Sequence, residues 1–171
     1  MHDELLVVRA QLGERDAFAD LVRAWHDPVH TFARRMIGPR DADDVAQEVW
    51  LAVVRGLPRL REPARFAPWL FRIARRSVTD RLRAEYAQPV AEAAAAEPDV
   101  GDLVADRATI AAGLAGVPVR ERELLILFYL QDLSLETCAE ICDIPVGTVK
   151  SRLSRGRRLL RDALTPKGPQ R

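Results

Sequence analysis

Apolar residues recur at spacings of three and four along most of the chain, which is the period of an amphipathic helix. No segment has the strict apolar–polar alternation of a half-buried strand. The first long pattern predicts a helix or helix pair over residues 16–37. Its apolar positions are Phe18, Leu21, Val22, Trp25, Val29 and Phe32. The following GPRD, residues 38–41, predicts a stop and a new helix start.

Two further helices are predicted in the first half of the chain. One covers about residues 42–54 and buries Val45, Val49, Ala52 and Val53. The other covers about residues 68–84 and buries Leu70, Ile73, Ser77 and Leu82, with an outward row of Arg72, Arg76, Thr79 and Arg83. The prolines and glycine of GLPRLREPARFAP, residues 56–68, predict a loop between them.

An acidic stretch rich in alanine and proline, residues 87–101, has no face that could pack and predicts a linker. It divides the chain into an N-terminal domain, residues 1–86, and a C-terminal domain, residues 102–171. The second domain should begin with a helix over 103–114. Pro118 should start a further helix that is almost entirely core. Its apolar residues are Leu124, Leu125, Leu127, Phe128 and Leu130.

The segment SLETCAEICDIPVGTVKSRL, which begins at Ser134, predicts a helix-turn-helix. Ser134 can cap the first helix, and Pro145 suits the start of the second. Asp143 stands in the turn, where its short polar side chain tolerates left-handed backbone geometry. In the second helix the inward positions are Val149, Leu153, Gly156, Leu160 and Leu164, and the outward ones are basic or small and polar. A second helix with this distribution of residues typically binds in the DNA major groove.

Charge is sorted into blocks although the net charge of the 171 residues is only +1. Residues 41–48 hold four acids and no base, and residues 55–83 hold nine arginines against two acids. Residues 84–106 hold six acids and no base, whereas residues 147–161 hold six bases and no acid. This alternation indicates separate partners of opposite charge.

Several classes of protein and site are disfavoured by the composition. No apolar run approaches the ~20 residues of a membrane helix, and the N-terminus has acids where a signal peptide has bases. We therefore expect a cytoplasmic protein with no direct membrane insertion. His26 and His30, or Cys138 and Cys142, could each supply two metal ligands, but a zinc site needs three or four. We expect no cofactor and no enzymatic activity, and a redox or metal role for the two cysteines stays open.

Three segments resemble the conserved domains of extracytoplasmic-function (ECF) sigma factors, which belong to the main bacterial sigma family. They are DADDVAQEVWLAVVRGLPRL, RFAPWLFRIARRSVTDRLR and VPVRERELLILFYLQDLSLETCAEICDIPVGTVKSRLSRGRRLLRDAL. The resemblance covers roughly residues 15–84 and 110–164. It implies an all-α, two-domain promoter-specificity subunit of RNA polymerase, which binds core polymerase and recognises the −10 and −35 promoter elements. The alternative is a conventional helix-turn-helix regulator that does not dock on core polymerase.

The resemblance also implies which residues of the first domain make contacts. Candidates for binding the clamp coiled coil of the largest polymerase subunit are Asp41, Asp44, Gln47 and Glu48. Candidates for binding and melting the −10 element are Arg61, Arg65, Phe66, Trp69, Arg72, Arg75 and Arg76. Trp69 suits either a scaffold role or a base contact, and Arg76 stands where family members usually have Asn.

In the second domain, the resemblance makes the helix from Pro145 the reader of the −35 element. Candidates at or near base edges are Lys150, Ser151, Ser154 and Arg155. Candidates for phosphate contacts are Thr148, Arg152, Arg157 and Arg158. The flap region of polymerase is the expected partner of this domain, and an anti-sigma factor is the expected inhibitor. The acids of the linker suit the basic channel through which RNA leaves the polymerase.

Overall fold

The computed structural model describes residues 2–87 and 102–165, and the regular elements in these ranges are all helical. The expectation of an all-α protein is therefore confirmed. The chain divides into two compact units, of which the first includes the helices before the predicted linker and the second includes most of the helical residues after it. The linker lies, except for Ala87, outside the described residues. Its boundaries stay a prediction.

The described part of the first unit contains four α-helices. They are α1 (His2–Gln11), α2 (Arg15–Ile37), α3 (Pro39–Gly56) and α4 (Phe66–Ala87), with 3₁₀ turns at Leu57–Arg59 and Pro63–Arg65 between the last two. Helix α1 was not predicted, although it buries Leu6 and Val7. The segment predicted as a helix or helix pair is one helix, with Pro28 inside it.

Aromatic rings from α2 and α4 form the centre of the first unit. Phe32 and Phe71 meet edge to face with ring centroids 5.7 Å apart, and Trp25 meets Phe71 at 6.3 Å. Trp25 also meets Phe66, at the start of α4, at 6.0 Å. Such edge-to-face pairs contribute beyond the area that they bury. The start of α4 is thereby fixed against α2.

The predicted buried face of α4 is partly wrong. Leu70 is buried as expected, but Ile73, Ser77 and Leu82 are only half-buried. The remaining core positions are Phe71, Ala74 and Val78. Both sets fit a helical period, and packing favours the one that places the large Phe71 ring among those of α2.

The junction between α2 and α3 follows the GPRD signal. Gly38 has a φ of 85°, a left-handed value that favours glycine, and its N–H donates to the carbonyl of Arg34. Pro39 is the first residue of α3, where its missing N–H costs nothing. Helix α3 then buries Ala42, Val45, Ala46, Val49 and Val53, whereas the predicted Ala52 is half-buried.

The second unit contains the remaining helices. They are α5 (Asp102–Ala115), α6 (Val119–Leu125) with a π-helical continuation (Ile126–Leu130), α7 (Leu135–Cys142) and α8 (Val146–Leu164). Helix α5 confirms the helix predicted over 103–114. The apolar run of α6 is less completely buried than predicted, because Phe128 is half-buried and Leu130 is 47% exposed. No helix in the described ranges is long and apolar enough to cross a membrane.

Candidate nucleic-acid and protein interfaces

Residues 134–158 form the predicted helix-turn-helix. The Ser134 hydroxyl accepts a hydrogen bond of 3.0 Å from the Thr137 N–H, which caps α7. In the turn, Asp143 adopts a φ of 54°, and the Ile144 N–H donates to the Ala139 carbonyl over 3.1 Å. Pro145 is the N-cap of α8, one position earlier than a first helical residue.

Helix α8 presents a basic face to solvent. Val149, Leu153 and Gly156 are buried and hold its other side against the unit. The exposed members of the predicted DNA-binding set are Lys150, Ser151, Ser154, Arg155, Arg157 and Arg158, and the half-buried members are Thr148 and Arg152. No acid interrupts the stretch from Val146 to Arg161. This face can therefore approach a polyanion without like-charge repulsion.

Two arginines of this face contact side chains of α6 and of its π-helical continuation. Nη1 of Arg155 lies 3.5 Å from Oε1 of Glu121, and Nη1 of Arg157 donates to the hydroxyl of Tyr129 over 3.2 Å. The sequence prediction missed both partners because they precede the helix-turn-helix. A signal existed for Glu121, since it is an acid one turn before the apolar run of α6.

In the first unit, α3 carries an exposed face with acidic and apolar parts. Asp44, Gln47 and Glu48 are exposed, as a docking role requires. Leu51 and Val54 lie on the same side of the helix, at positions seven and ten residues after Asp44, and are 50% and 53% exposed. The sequence prediction missed these two apolar residues, although the helical period of three and four would have found them.

Asp41 differs from the other three candidates for binding the clamp coiled coil. Its side chain is only 15% exposed and forms an ion pair and hydrogen bond with Arg81 of α4. That hydrogen bond raises the pKa of the Arg81 guanidinium above its ordinary value. Arg81 also lies 3.9 Å from Asp44. Asp41 thus ties α3 to α4, and the exposed negative charge of this face is carried by Asp44 and Glu48.

The predicted −10 set spreads over the loop after α3 and the first turns of α4. Arg61, Arg65, Arg72 and Arg76 are exposed, and Arg75 is half-buried. Phe66 departs from the prediction because it is only 1% exposed and packs against Trp25 and Trp69. Its ring packs beneath this surface and is not accessible to a base.

Trp69 is the half-exposed aromatic residue of the −10 set. A Cβ placed on Gly56 would lie 2.8 Å from Cζ2 of Trp69, so the glycine allows the indole to lie against the end of α3. Gln11 fixes the loop nearby, because its amide nitrogen donates to the carbonyls of Leu57 and Leu60 over 2.9 and 2.8 Å. Gln11 was missed because α1 was not predicted.

The histidine and cysteine pairs have ordinary structural surroundings. His30 lies 3.0 Å from the Asp43 carboxylate and stacks on His26. Cys138 and Cys142 are buried free thiols, and burial raises the pKa of Cys138 to about 11. A thiol with a raised pKa is a poor nucleophile and metal ligand at neutral pH. Among the described residues, no three potential ligands are grouped to hold a metal.

Comparisons with known proteins match both halves of the chain. The model of Sigma-70 region 2 matches residues 21–87, and that of Sigma-70, region 4 matches residues 107–160. The ECF RNA polymerase sigma factor SigW of Bacillus subtilis is 32% identical over 92% of this chain and 94% of its own length. The ECF RNA polymerase sigma-E factor of Haemophilus influenzae is 31% identical over 96% of each.

Solved structures agree with these matches. CnrH, in complex with the cytosolic domain of CnrY, superposes with a TM-score of 0.76 at 26% identity, over 98% of this chain and all of that chain. The sigma factor RpoE of Bartonella quintana, in complex with the anti-sigma factor NepR, has the same TM-score at 24% identity, over 88% of this chain and 98% of its own. The second likeness concerns the fold alone.

Proposed function

This chain belongs to the ECF RNA polymerase sigma factors, and from that membership we propose which of its surfaces carries each step of promoter-specific initiation. As a sigma factor it binds core polymerase and recognises the −10 and −35 promoter elements. The observation that carries the residue assignment is the pair of exposed faces with opposite charge: the acidic face of α3 and the basic face of α8. We place its action in the cytoplasm, where polymerase works, and assign it no catalytic step.

The basic face of α8 reads the −35 element. Lys150, Ser151, Ser154 and Arg155 approach base edges, where arginine and lysine suit the acceptors of guanine. Thr148, Arg152, Arg157 and Arg158 contact phosphates and fix the register without reading sequence. The absence of acids from Val146 to Arg161 and the apolar anchor at Val149, Leu153 and Gly156 support the assignment.

The loop after α3 and the start of α4 bind the −10 element. Arg61, Arg65, Arg72, Arg75 and Arg76 contact the backbone of the opened strand. Extracting a base costs a few kcal/mol, and stacking on an aromatic ring returns ~1–3 kcal/mol per base. The half-exposed Trp69 is the ring placed to supply this, and the buried Phe66 supports it from below.

The exposed face of α3 docks on the clamp coiled coil of the largest polymerase subunit. Asp44, Gln47 and Glu48 supply charge and polar contacts. Leu51, one turn farther along the same side of the helix, supplies apolar area. Charge complementarity speeds and orients association, and the desolvated apolar residue contributes affinity. Asp41 contributes indirectly, because its ion pair with Arg81 ties α3 to α4. The second unit contacts the polymerase flap.

An anti-sigma factor is the proposed inhibitor. CnrH was solved with the cytosolic domain of CnrY, and RpoE of Bartonella quintana was solved with the anti-sigma factor NepR. A partner of this kind would cover the polymerase-binding surfaces of the present chain until it is released. The exposed apolar residues Leu51 and Val54 give such a partner area to bury.

Co-elution with core RNA polymerase on gel filtration tests the docking face. The wild-type chain should co-elute, and the Asp44→Arg, Glu48→Arg double mutant should not. A matched control carries the same charge reversal on exposed acids of α2, as Asp16→Arg, Asp27→Arg, and should co-elute normally. Equal loss in both double mutants would contradict the assignment to α3. A wild-type chain that binds DNA but never core polymerase would favour the conventional regulator.

A further inference from the structure

Glu121 is an acid in the interior of the second unit. Its side chain is only 9% exposed, and Nη1 of Arg155 on α8 lies 3.5 Å from its carboxylate. A carboxylate removed from water is costly unless a charged or hydrogen-bonding partner compensates it. The ion pair constrains both side chains, because a buried carboxylate that needs a cation also restricts the position of that cation.

Gly156 explains how the two helices come close enough for this contact. A Cβ built on Gly156 would lie 3.3 Å from Cβ of Glu121 and 3.2 Å from Cδ1 of Leu125. Both distances are tighter than ordinary van der Waals contact, so α6 lies against α8 at a point where α8 has no side chain. The neighbouring Arg155 can then fold over the edge of the contact to reach Glu121.

Arg155 keeps most of its hydrogen-bonding capacity toward solvent. Its side chain is 61% exposed, and Nη1 is the nitrogen within 4 Å of the Glu121 carboxylate. A guanidinium has five N–H donors in a fixed plane, so a carboxylate beside Nη1 leaves the remaining donors available to a second partner. The pair borders an open groove of about 560 Å³, whose wall also includes Arg120, Ser151 and Arg152.

We propose that Glu121 is a positioning residue for base recognition, which fixes the guanidinium of Arg155 in the orientation that reads the −35 element. The inference rests on the proposed role of α8 in −35 recognition. An unrestrained arginine on an exposed helix face samples many rotamers, and ordering it on binding weakens the preference for the correct base. Glu121 orders the side chain before DNA arrives, and it contacts no base itself.

The test is selection from a pool of promoter duplexes with a randomised −35 window, using the full-length chain assembled with core RNA polymerase. Sequencing the bound fraction gives the base preference at each position. Arg155→Ala should flatten the preference at one or two neighbouring base pairs. Glu121→Gln should lower discrimination at the same base pairs by about three- to tenfold, the size of a typical coupling between contacting residues. In the Arg155→Ala background, Glu121→Gln should cause no further loss of discrimination at these base pairs.

Overall affinity distinguishes positioning from a loss of structure. Glu121→Gln removes a negative charge near DNA, so binding to the whole pool should stay equal or increase while discrimination falls. Glu123→Gln is the matched control, because Glu123 is equally buried on the same helix but lies toward Cys138, whose pKa it raises. It should leave the base preferences unchanged. If Glu121→Gln folds poorly, Glu121→Asp keeps the charge and withdraws the carboxylate by one methylene, and it should flatten the same positions.

The outcomes separate the two proposals. If Arg155→Ala flattens the preference and Glu121→Gln or Glu121→Asp in a folded chain does not, the positioning role is overturned and the −35 assignment stands. If Arg155→Ala leaves every preference intact, the base-reading role of Arg155 fails, and the positioning role fails with it. If Glu121→Gln and Glu123→Gln reduce affinity and discrimination alike, Glu121 serves the stability of the fold only.

Discussion

Replacing either glycine of α8 by alanine should change stability in opposite directions. Gly156 is buried against α6, whereas a Cβ on Gly147 would meet nothing within 4 Å. Neither glycine has a positive φ, so alanine fits the backbone at both positions. The two substitutions share the same chemistry and the same helix. They differ in the space that the methyl group finds.

The magnitudes follow from two competing effects. Exchange of glycine for alanine at a compatible helical position stabilises by ~0.4–1 kcal/mol, mainly by restricting the unfolded chain. For Gly147→Ala this gain should be realised in full. For Gly156→Ala the new methyl group would press on Leu125 and Glu121 at 3.2–3.3 Å. Overpacking of this kind costs ~1–3 kcal/mol, so we expect a net loss of about 1 kcal/mol.

Hydrogen exchange of the full-length chain, read by mass spectrometry on peptides from α6 and α8, measures this local stability. A loss of about 1 kcal/mol corresponds to a roughly fivefold increase in the opening equilibrium of both peptides. Gly147→Ala should slow exchange in α8. If Gly156→Ala protected α6 and α8 as well as Gly147→Ala does, the close approach of the two helices at Gly156 would be refuted.

Three further predictions concern the functional surfaces and the thiol. Leu51→Asp should weaken co-elution with core polymerase although it adds an acid to an acidic face, because it removes apolar area from the docking surface; an unchanged elution profile would exclude Leu51 from it. Lys150→Ala should relax −35 base preference, whereas Arg158→Ala should weaken binding to all sequences and reduce its salt dependence, as measured by titration of holoenzyme at several salt concentrations. Burial raises the pKa of Cys138 to about 11, so about one thiol in a thousand is ionised at pH 8. Cys138 should therefore react slowly with iodoacetamide in the native chain at pH 8 and faster as the pH rises. Rapid alkylation at pH 8 would contradict its burial.

The features predicted correctly from sequence are those that neighbouring residues determine. Ser134 caps α7 through the backbone of Thr137, and Asp143 turns the chain with its own φ. Gly38 and Pro39 separate α2 from α3 in the same local way. Each signal lies within four residues of its effect. The order of the helices after α1 and the helix-turn-helix could therefore be predicted from the sequence.

The core positions that were predicted wrongly depend on contacts between distant segments. The choice of Phe71 over Ile73 as a core position of α4 is made by the aromatic residues of α2. Phe66 is buried for the same reason, although its place in an arginine-rich loop suggested exposure. A periodic pattern gives the faces that a helix could bury, and only the neighbouring helix selects among them.

Charge counted along the sequence also overstates what a surface offers to a partner. The acidic block on α3 loses Asp41 to Arg81, which lies forty residues away on α4. The basic block on α8 similarly engages Arg155 with Glu121. In the first case the ion pair withdraws a carboxylate from the exposed acidic face of α3, because the Asp41 side chain is only 15% exposed. In the second the arginine remains largely exposed, so its charge stays accessible to a partner. The same type of contact thus removes one charge from an exposed face and leaves another charge on it, and the exposed fraction of the side chain distinguishes the two cases.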